Sequence, residues 1–329
     1  MRAAFFEGYR SISVHDAPVP EPGPGELRLR IRYCGICGSD LSLYKTGVLA
    51  GPDVILGHEV SAAVDADPTG TFQPGARVTV YPNRGCGECL WCREGKRRYC
   101  LNPPDHHGGG FAEFAVAPVE NVIPLPDDLD DQTAAAAEPF GVALRGIELA
   151  GARPGDFAYV SGLGSIGLFT VAGLVARGCR VLGADPRADR HALAIEVGCE
   201  AVIDPTKEDT VTATLAMDPH GPRLAFECSG APQSLQQVFD TCGYEGVVGI
   251  LGIPMGPAFL LRMTLRELTA FSIQGPSMEA MRRAIGLLRD RPEGRRAITD
   301  VVGLDEIARA FEDLTDGRGG VKVLVQPAG

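Results

Sequence analysis

Short apolar runs alternate with polar breaks along this chain, and the rhythm changes near residue 150. Before that point Ser11–Val14, Glu26–Tyr33, Glu59–Val64 and Arg77–Tyr81 read as short strands. Proline-rich stretches at Pro18–Pro24 and Pro103–Pro104 separate them. After it the pattern turns regular. Phe157–Ser161 predicts a buried strand, Ser165–Arg177 a helix, Arg180–Ala184 a second strand and Arg187–Val197 a second helix. Ala201–Ile203, Leu224–Cys228, Val247–Gly252 and Phe271–Gln274 continue as short apolar strands. Strands alternating with helices predict an α/β fold, a doubly wound parallel sheet with helices on both faces. Helices near Met278–Asp290 and Asp305–Asp316 and a last strand, Val321–Val325, close the chain. The expected plan is a β-rich lobe over 1–145, a parallel α/β domain over 146–276, and a tail, 277–329, that returns to the first lobe.

Composition narrows the function. The chain has 329 residues, 45% of them hydrophobic, enough for two domains with real cores. Its net charge of −11 argues against a nucleic-acid partner, whose phosphates need a basic surface. The stretch 157–176 carries no charge and is long enough to span a bilayer, but its glycines at 162, 164, 167 and 173 favour a strand, a turn and a helix. Met1–Arg10 holds no apolar run of signal-peptide length, so a cytoplasmic protein without membrane partner is expected.

Cys86, Cys89, Cys92 and Cys100 stand as C-x2-C-x2-C-x7-C. Four thiolates packed this tightly suit one tetrahedral Zn²⁺ with no position left for a substrate, a structural site. Two disulfides fit a reducing cytosol poorly, and the spacing differs from the common ferredoxin runs.

Gly162-Leu163-Gly164-Ser165-Ile166-Gly167 is a G-x-G-x-x-G between a predicted strand and a predicted helix. Backbone N–H groups and the helix dipole can hold a pyrophosphate there. Asp185, at the end of the second strand, suits the ribose hydroxyls of NAD and repels the extra phosphate of NADP. Arg187 and Arg190 follow closely, and an arginine can accommodate that phosphate. A methyltransferase-type loop for another adenosine ligand is the rival reading.

Cys34-Gly-Ile-Cys37-Gly-Ser39-Asp40 and Gly57-His58-Glu59 supply thiolate, imidazole and carboxylate, the donors of a catalytic Zn²⁺. By spacing alone, Cys34 and Cys37 could equally be a redox pair and His58 an ordinary histidine. Taken in order, CGICGSD, GHE, GCxxCxxCxxGxxxxC over Gly85–Cys100 and GxGxxG resemble the zinc-dependent medium-chain dehydrogenase/reductase family of alcohol, sorbitol, threonine and glucose dehydrogenases. The resemblance runs from about residue 25 to the end of the chain.

That resemblance implies a GroES-like catalytic domain beside a Rossmann domain, and two Zn²⁺ per chain, one catalytic and one structural. Cys37 and His58 match catalytic zinc ligands, and Cys34 becomes a buried structural thiol. Glu59 matches a glutamate at or just behind the metal. Glu138 matches the acidic position of the polyol-type branch, which ligates zinc or orders its water. Asp40 matches a carboxylate that orients the histidine, and Ser39 the hydroxyl that takes the alcohol proton. Where several members carry a relay histidine, this chain has Ser42, with Tyr44 nearby. His106 and His107 read as loop residues near the cleft mouth. Arg190, Cys228, Leu251 and Ile253 match cofactor-contacting positions, and Lys322 a basic residue reaching the pyrophosphate.

The implied reaction transfers a hydride between NAD and a secondary alcohol or ketone. Glu138 with Ser39, Ser42 and Tyr44 suggests a polyol, sugar or (amino)cyclitol; a simple secondary alcohol is the alternative. An enone or quinone reductase would lack Cys37 and His58, and a non-catalytic NADH-binding protein would not need Cys37, His58, Glu59 and Ser39 together. Family members are homodimers or homotetramers, which makes 256–274 a plausible contact region.

Overall fold

The computed structural model describes residues 1–48, 51, 54–103, 109–254 and 257–328. Its strands in chain order are β1 (Arg2–Gly8), β2 (Ser11–Asp16), β3 (Glu26–Gly35), β4 (Glu59–Ala66), β5 (Arg77–Val80), β6 (Phe114–Pro118), β7 (Val122–Pro124), β8 (Phe157–Ser161), β9 (Arg180–Ala184), β10 (Ala201–Ile203), β11 (Leu224–Glu227), β12 (Val247–Ile250), β13 (Thr269–Ser272), β14 (Ile298–Gly303) and β15 (Lys322–Gln326). Met1–Glu138 and Ile298–Gly329 form one unit, and Pro139–Ala297 the other.

In the second unit the sheet order is β10-β9-β8-β11-β12-β13. Every neighbouring pair is parallel. This is the Rossmann order, which reverses direction between β8 and β11 and opens a crevice beyond the carboxyl ends of the strands. β8 is buried along its whole length, as a central strand covered on both faces must be. The uncharged stretch 157–176 resolves into β8, a turn, and the helix Ser165–Ala176 of 12 residues. Among the described residues no helix is long and apolar enough to cross a membrane.

In the first unit β14-β15-β3-β4-β5-β7 form a mixed sheet, with β6 also paired to β3. The long strand β3 buries alternate residues, among them Leu27, Leu29 and Ile31. The end of the chain joins this sheet: β15 runs antiparallel to β3, with Leu324 opposite Gly35 and Val325 opposite Cys34. Phe311, fully buried, seals the return with edge-on contacts to Tyr44 at 5.4 Å and Phe111 at 5.7 Å.

The chain crosses between units nearer Glu138 and Ala297 than the expected 145 and 277. Packing explains the difference. Met278–Asp290 buries Ala280, Met281, Ala284, Ile285 and Leu288 within the second unit. Gly141 leaves room for Met281, and Phe140 stacks on Phe169 at 5.3 Å. The helices Gly38–Thr46 and Ala137–Leu149 and the strand β14 go beyond the elements that the sequence pattern predicts.

Phe311→Ala removes the aromatic plug at the return of the tail. A loss of about 3–5 kcal/mol is expected in the denaturant unfolding of the first unit.

Candidate functional site

The four cysteines of the lobe bring their sulfurs within 4.8 Å of one another. Cys86 and Cys92 Sγ are 4.0 Å apart, as are Cys89 and Cys100 Sγ. A disulfide needs about 2.05 Å, whereas a Zn–S bond of about 2.3 Å in a tetrahedron sets sulfurs roughly 3.8 Å apart. The donor set therefore fits one zinc ion. Short local structure shapes it: Cys89 caps the turn Leu90–Arg93, and the N–H groups of Cys86 and Cys89 donate to Cys100 Sγ at 3.2 Å and Cys86 Sγ at 3.4 Å. Backbone donors, first Leu101 N–H and then Cys92 N–H, bring the Cys89 thiol down to about 6. The backbone thus favours the thiolate, the form that binds metal, at Cys86 and Cys89, whereas burial pushes Cys92 up to about 12.

Cys37, His58 and Glu59 each offer a donor atom within 4.8 Å of the others. Cys37 is the N-cap of the helix Gly38–Thr46, and Asp40 turns back to accept its N–H at 3.0 Å. The signal was present in the sequence: an acid three residues after Cys37 completes a capping box, and Gly47 ends the helix in the left-handed region at φ 69°. The same Asp40, 2% exposed, lies 3.7 Å from His58 Nδ1 through its other oxygen, so one carboxylate addresses both donors. Ser39 stands between Cys37 and Asp40 in the first turn, half-buried.

The electrostatics favour a cation. Asp40, Glu59 and Glu138 are all buried here, with Lys322 as the buried counter-charge. Burial pushes Glu138 up to about 7, opposed by His58 and aided by Glu59. Burial works against a charged His58, but Asp40 and Cys37 outweigh it and raise the ring well above its ordinary value. Such a cluster of thiol, imidazole and surplus carboxylate fits Zn²⁺. Glu138 lies outside the 4.8 Å group that Cys37, His58 and Glu59 form. It interacts electrostatically with His58 and Glu59.

Two of the expected polar side chains are buried. Lys322 is 1% exposed, and its Nζ donates to Glu59 Oε1 at 2.8 Å and Ile36 O at 2.9 Å, with Glu59 Oε2 at 2.7 Å. The pairing of β15 with β3 turns its side chain inward beside the buried carboxylate. Tyr44 belongs to the apolar core against Phe311 and is no part of a polar pocket, whereas Ser42 is exposed on the same helix. His106 and His107 lie outside the described residues.

The cofactor loop sits between β8 and the helix Ser165–Ala176, whose N-cap is Gly164. Gly162 has φ 90°, and a Cβ there would lie 2.7 Å from Ser229 backbone atoms. A Cβ on Gly167 would lie 1.8 Å from Gly162 O, so only glycine closes this turn. The loop and helix start, with Ser165 and Ile166 half-buried, form a backbone cradle that a phosphate fits. Asp185, 8% exposed at the end of β9, accepts Leu163 N–H at 2.8 Å and Arg187 N–H at 2.9 Å. Arg187 pairs with Asp189 at 2.6 Å, and Arg190, also 8% exposed, donates to Leu163 O at 3.4 Å.

Sequence reasoning missed Glu227, which is fully buried at the end of β11. Its Oε1 accepts Ser229 N–H and Gly230 N–H, both at 2.8 Å, and Ser229 and Ser234 hydroxyls, both at 2.7 Å. Its carbonyl takes Leu251 N–H at 2.8 Å and Gly252 N–H at 2.9 Å. One residue thus ties the Cys228 turn to the Leu251–Ile253 segment; Leu251 is buried and Ile253 exposed. An acid at the end of an apolar strand, four residues from the nearest basic residue, Arg223, was the available signal.

The family profile "Alcohol dehydrogenase GroES-like domain" matches residues 23–127, and "Zinc-binding dehydrogenase" matches 165–290. An L-threonine 3-dehydrogenase of Anaeromyxobacter sp. (strain Fw109-5) is 31% identical over 328 residues, covering 94% of each chain. The chain belongs to the zinc-dependent medium-chain dehydrogenase/reductase family. Among solved structures, the alcohol dehydrogenase TADH from Thermus sp. ATN1 superposes with TM-score 0.91 at 26% identity and covers 100% of both chains. A protein from Sinorhizobium meliloti 1021 bound to NADP superposes with TM-score 0.89 at 32% identity over 99% of both. As a medium-chain dehydrogenase, this chain is a zinc-binding oxidoreductase with a GroES-like and a Rossmann domain.

Lys322→Met leaves the Glu59 carboxylate buried without its counter-charge. A loss of about 3–5 kcal/mol in thermal or denaturant unfolding is expected, while NADH affinity by fluorescence titration stays within about twofold. A tenfold loss of NADH affinity at unchanged stability would restore the pyrophosphate role.

Proposed function

We propose that this dehydrogenase transfers a hydride between NAD and a secondary alcohol that carries a neighbouring hydroxyl or amino group. The convergence of Cys37, His58 and Glu59 behind Ser39 and Asp40 carries this reading. Cys37, His58 and a carboxylate, Glu59 or Glu138, would hold a reactive zinc, and Cys86, Cys89, Cys92 and Cys100 a structural one. When bound, the metal supplies Lewis acidity toward the alcohol oxygen and the nicotinamide accepts the hydride. Ser39 receives the alcohol proton and passes it on through Ser42 or water. Asp40 holds the Cys37 backbone and faces the His58 ring, fixing both donors.

Asp185 at the ribose position supports NAD. Arg187 is engaged by Asp189 and Arg190 is buried against the loop, which leaves them poorly placed for a further phosphate. NADP is the second reading, favoured by the NADP-bound relative.

The substrate class draws on two supports. Glu138, buried and interacting electrostatically with His58 and Glu59, suits a polyol, sugar or aminocyclitol, and relatives at 30–32% identity are named for L-threonine, which carries a hydroxyl beside an amino group. A simple secondary alcohol is favoured by the wall beside His58, where Ile31, Val60, Val80 and Pro82 are apolar.

The deciding assay follows NADH formation with L-threonine, sorbitol, myo-inositol, an aminocyclitol and 2-butanol, each with NAD or NADP. The expected outcome is turnover of a vicinally substituted alcohol, with NAD preferred about 100-fold, or about 2.7 kcal/mol. Metal analysis should find two zinc ions per chain, and Cys37→Ala should lose turnover and one of the two. Activity confined to 2-butanol, or undiminished in Cys37→Ala, would overturn the reading.

Phe259, Leu260, Leu261 and Leu265 are 59–78% exposed just before the edge strand β13. They support a homodimer or homotetramer formed through the described part of 256–274. Light scattering should give at least twice the chain mass; a clean monomer would reject it. All ten cysteines are free, which supports a reducing compartment.

A further inference from the structure

The four-cysteine lobe has no open position for a substrate, yet it is tied into the wall of the pocket beside His58. That pocket is lined by His58, Val60, Tyr81, Pro82, Arg84 and Asn121, among others. The wall segment 81–84 runs straight into the lobe at Gly85-Cys86. Asn121, 1% exposed, closes the connection from the other side. Its Nδ2 donates to Tyr81 O at 2.8 Å and Asn83 O at 3.2 Å, and its backbone carbonyl takes Tyr81 N–H at 2.8 Å. Its Oδ1 accepts Arg97 Nη1–H at 2.7 Å. Arg97 sits in the turn Arg97–Tyr99, between Cys92 and Cys100, and its other nitrogen pairs with Glu120 at 3.0 Å. Packing is close at the junction: a Cβ on Gly85 would stand 2.6 Å from Cys92 Sγ and 3.0 Å from Arg97 Cγ.

We propose that Asn121 is a positioning residue that couples the lobe to the pocket wall, so that a formed lobe sets the position of Tyr81–Asn83 and with it the affinity for substrate. The amide is suited to this task. Its two donors meet two carbonyls and its acceptor meets a guanidinium, so the side chain is satisfied only when lobe and wall are both in place. The tie touches none of the metal donors beside His58, so its loss raises KM and leaves kcat nearly unchanged. The link between KM and substrate rests on the dehydrogenase reading above; the mechanical coupling does not.

The test uses the full-length metal-loaded protein with Arg97→Met, Arg97→Lys, Asn121→Ala and Cys89→Ser. Hydrogen exchange is measured on peptides covering 81–84, with peptides from β3 as the reference for general loosening. Cys89→Ser disrupts the metal lobe and Arg97→Met cuts the tie with the cysteines intact. Both should speed exchange at 81–84 about tenfold while β3 is unchanged, with Arg97→Lys close to wild type. With whichever panel alcohol is turned over best, Arg97→Met should raise KM about tenfold with kcat within twofold. Unchanged exchange at 81–84 in Arg97→Met and Cys89→Ser overturns the coupling even if no panel alcohol reacts. Faster exchange with an unchanged KM overturns the role in substrate affinity. Equal acceleration at 81–84 and in β3 reduces Asn121 to an ordinary stabilising residue.

Discussion

The ion pair between Glu59 and Lys322 joins residues 263 apart in sequence, and both partners are 1% exposed. Neither charge could stay buried alone, because leaving water costs several kcal/mol per ion unless the partner and its hydrogen bonds are in place. The tail must therefore close on β3 and β4 before this part of the unit is stable. Closure has a chemical consequence. Glu59 follows His58, and Lys322 also grips the carbonyl of Ile36, the residue before Cys37. One ammonium group thus registers the two segments that bear Cys37 and His58.

The rest of the first unit extends this arrangement. Asp40 repeats on a smaller scale what Lys322 does across the chain, holding the Cys37 backbone and facing the His58 ring. The four-cysteine lobe fixes a loop that would otherwise carry exposed thiols and no core of its own, and Asn121 carries that order to Tyr81 and Asn83. In the second unit the logic is steric. Gly162 and Gly167 let the strand, turn and helix approach more closely than any side chain permits, and Glu227 binds the neighbouring turns together.

Much of this was legible from residues close together in sequence. β8, β9, β10 and the helix Met278–Asp290 fall where the pattern put them, because a short, largely apolar run or a 3.6-residue stripe is a local property. The helix Gly38–Thr46 escapes the same reading because its few apolar residues form no stripe; its signal is the cap, Cys37 with Asp40, and the terminal Gly47. The unit boundaries differ from the expected ones because the helix Met278–Asp290 declares its amphipathic face in sequence but not which domain receives it.

The sequence by itself determined the donor types and their local spacing, the glycine turn, the acid that follows it, and hence the family. These are set by neighbours within a few turns of chain. Only the tertiary structure decided that Lys322 faces Glu59, that Tyr44 is core, that Glu138 stands apart from the closest donor group, and that Asn121 ties Arg97 of the cysteine lobe to Tyr81 and Asn83. A buried polar side chain is defined by its partners, and those partners come from strands that meet only when the chain has closed.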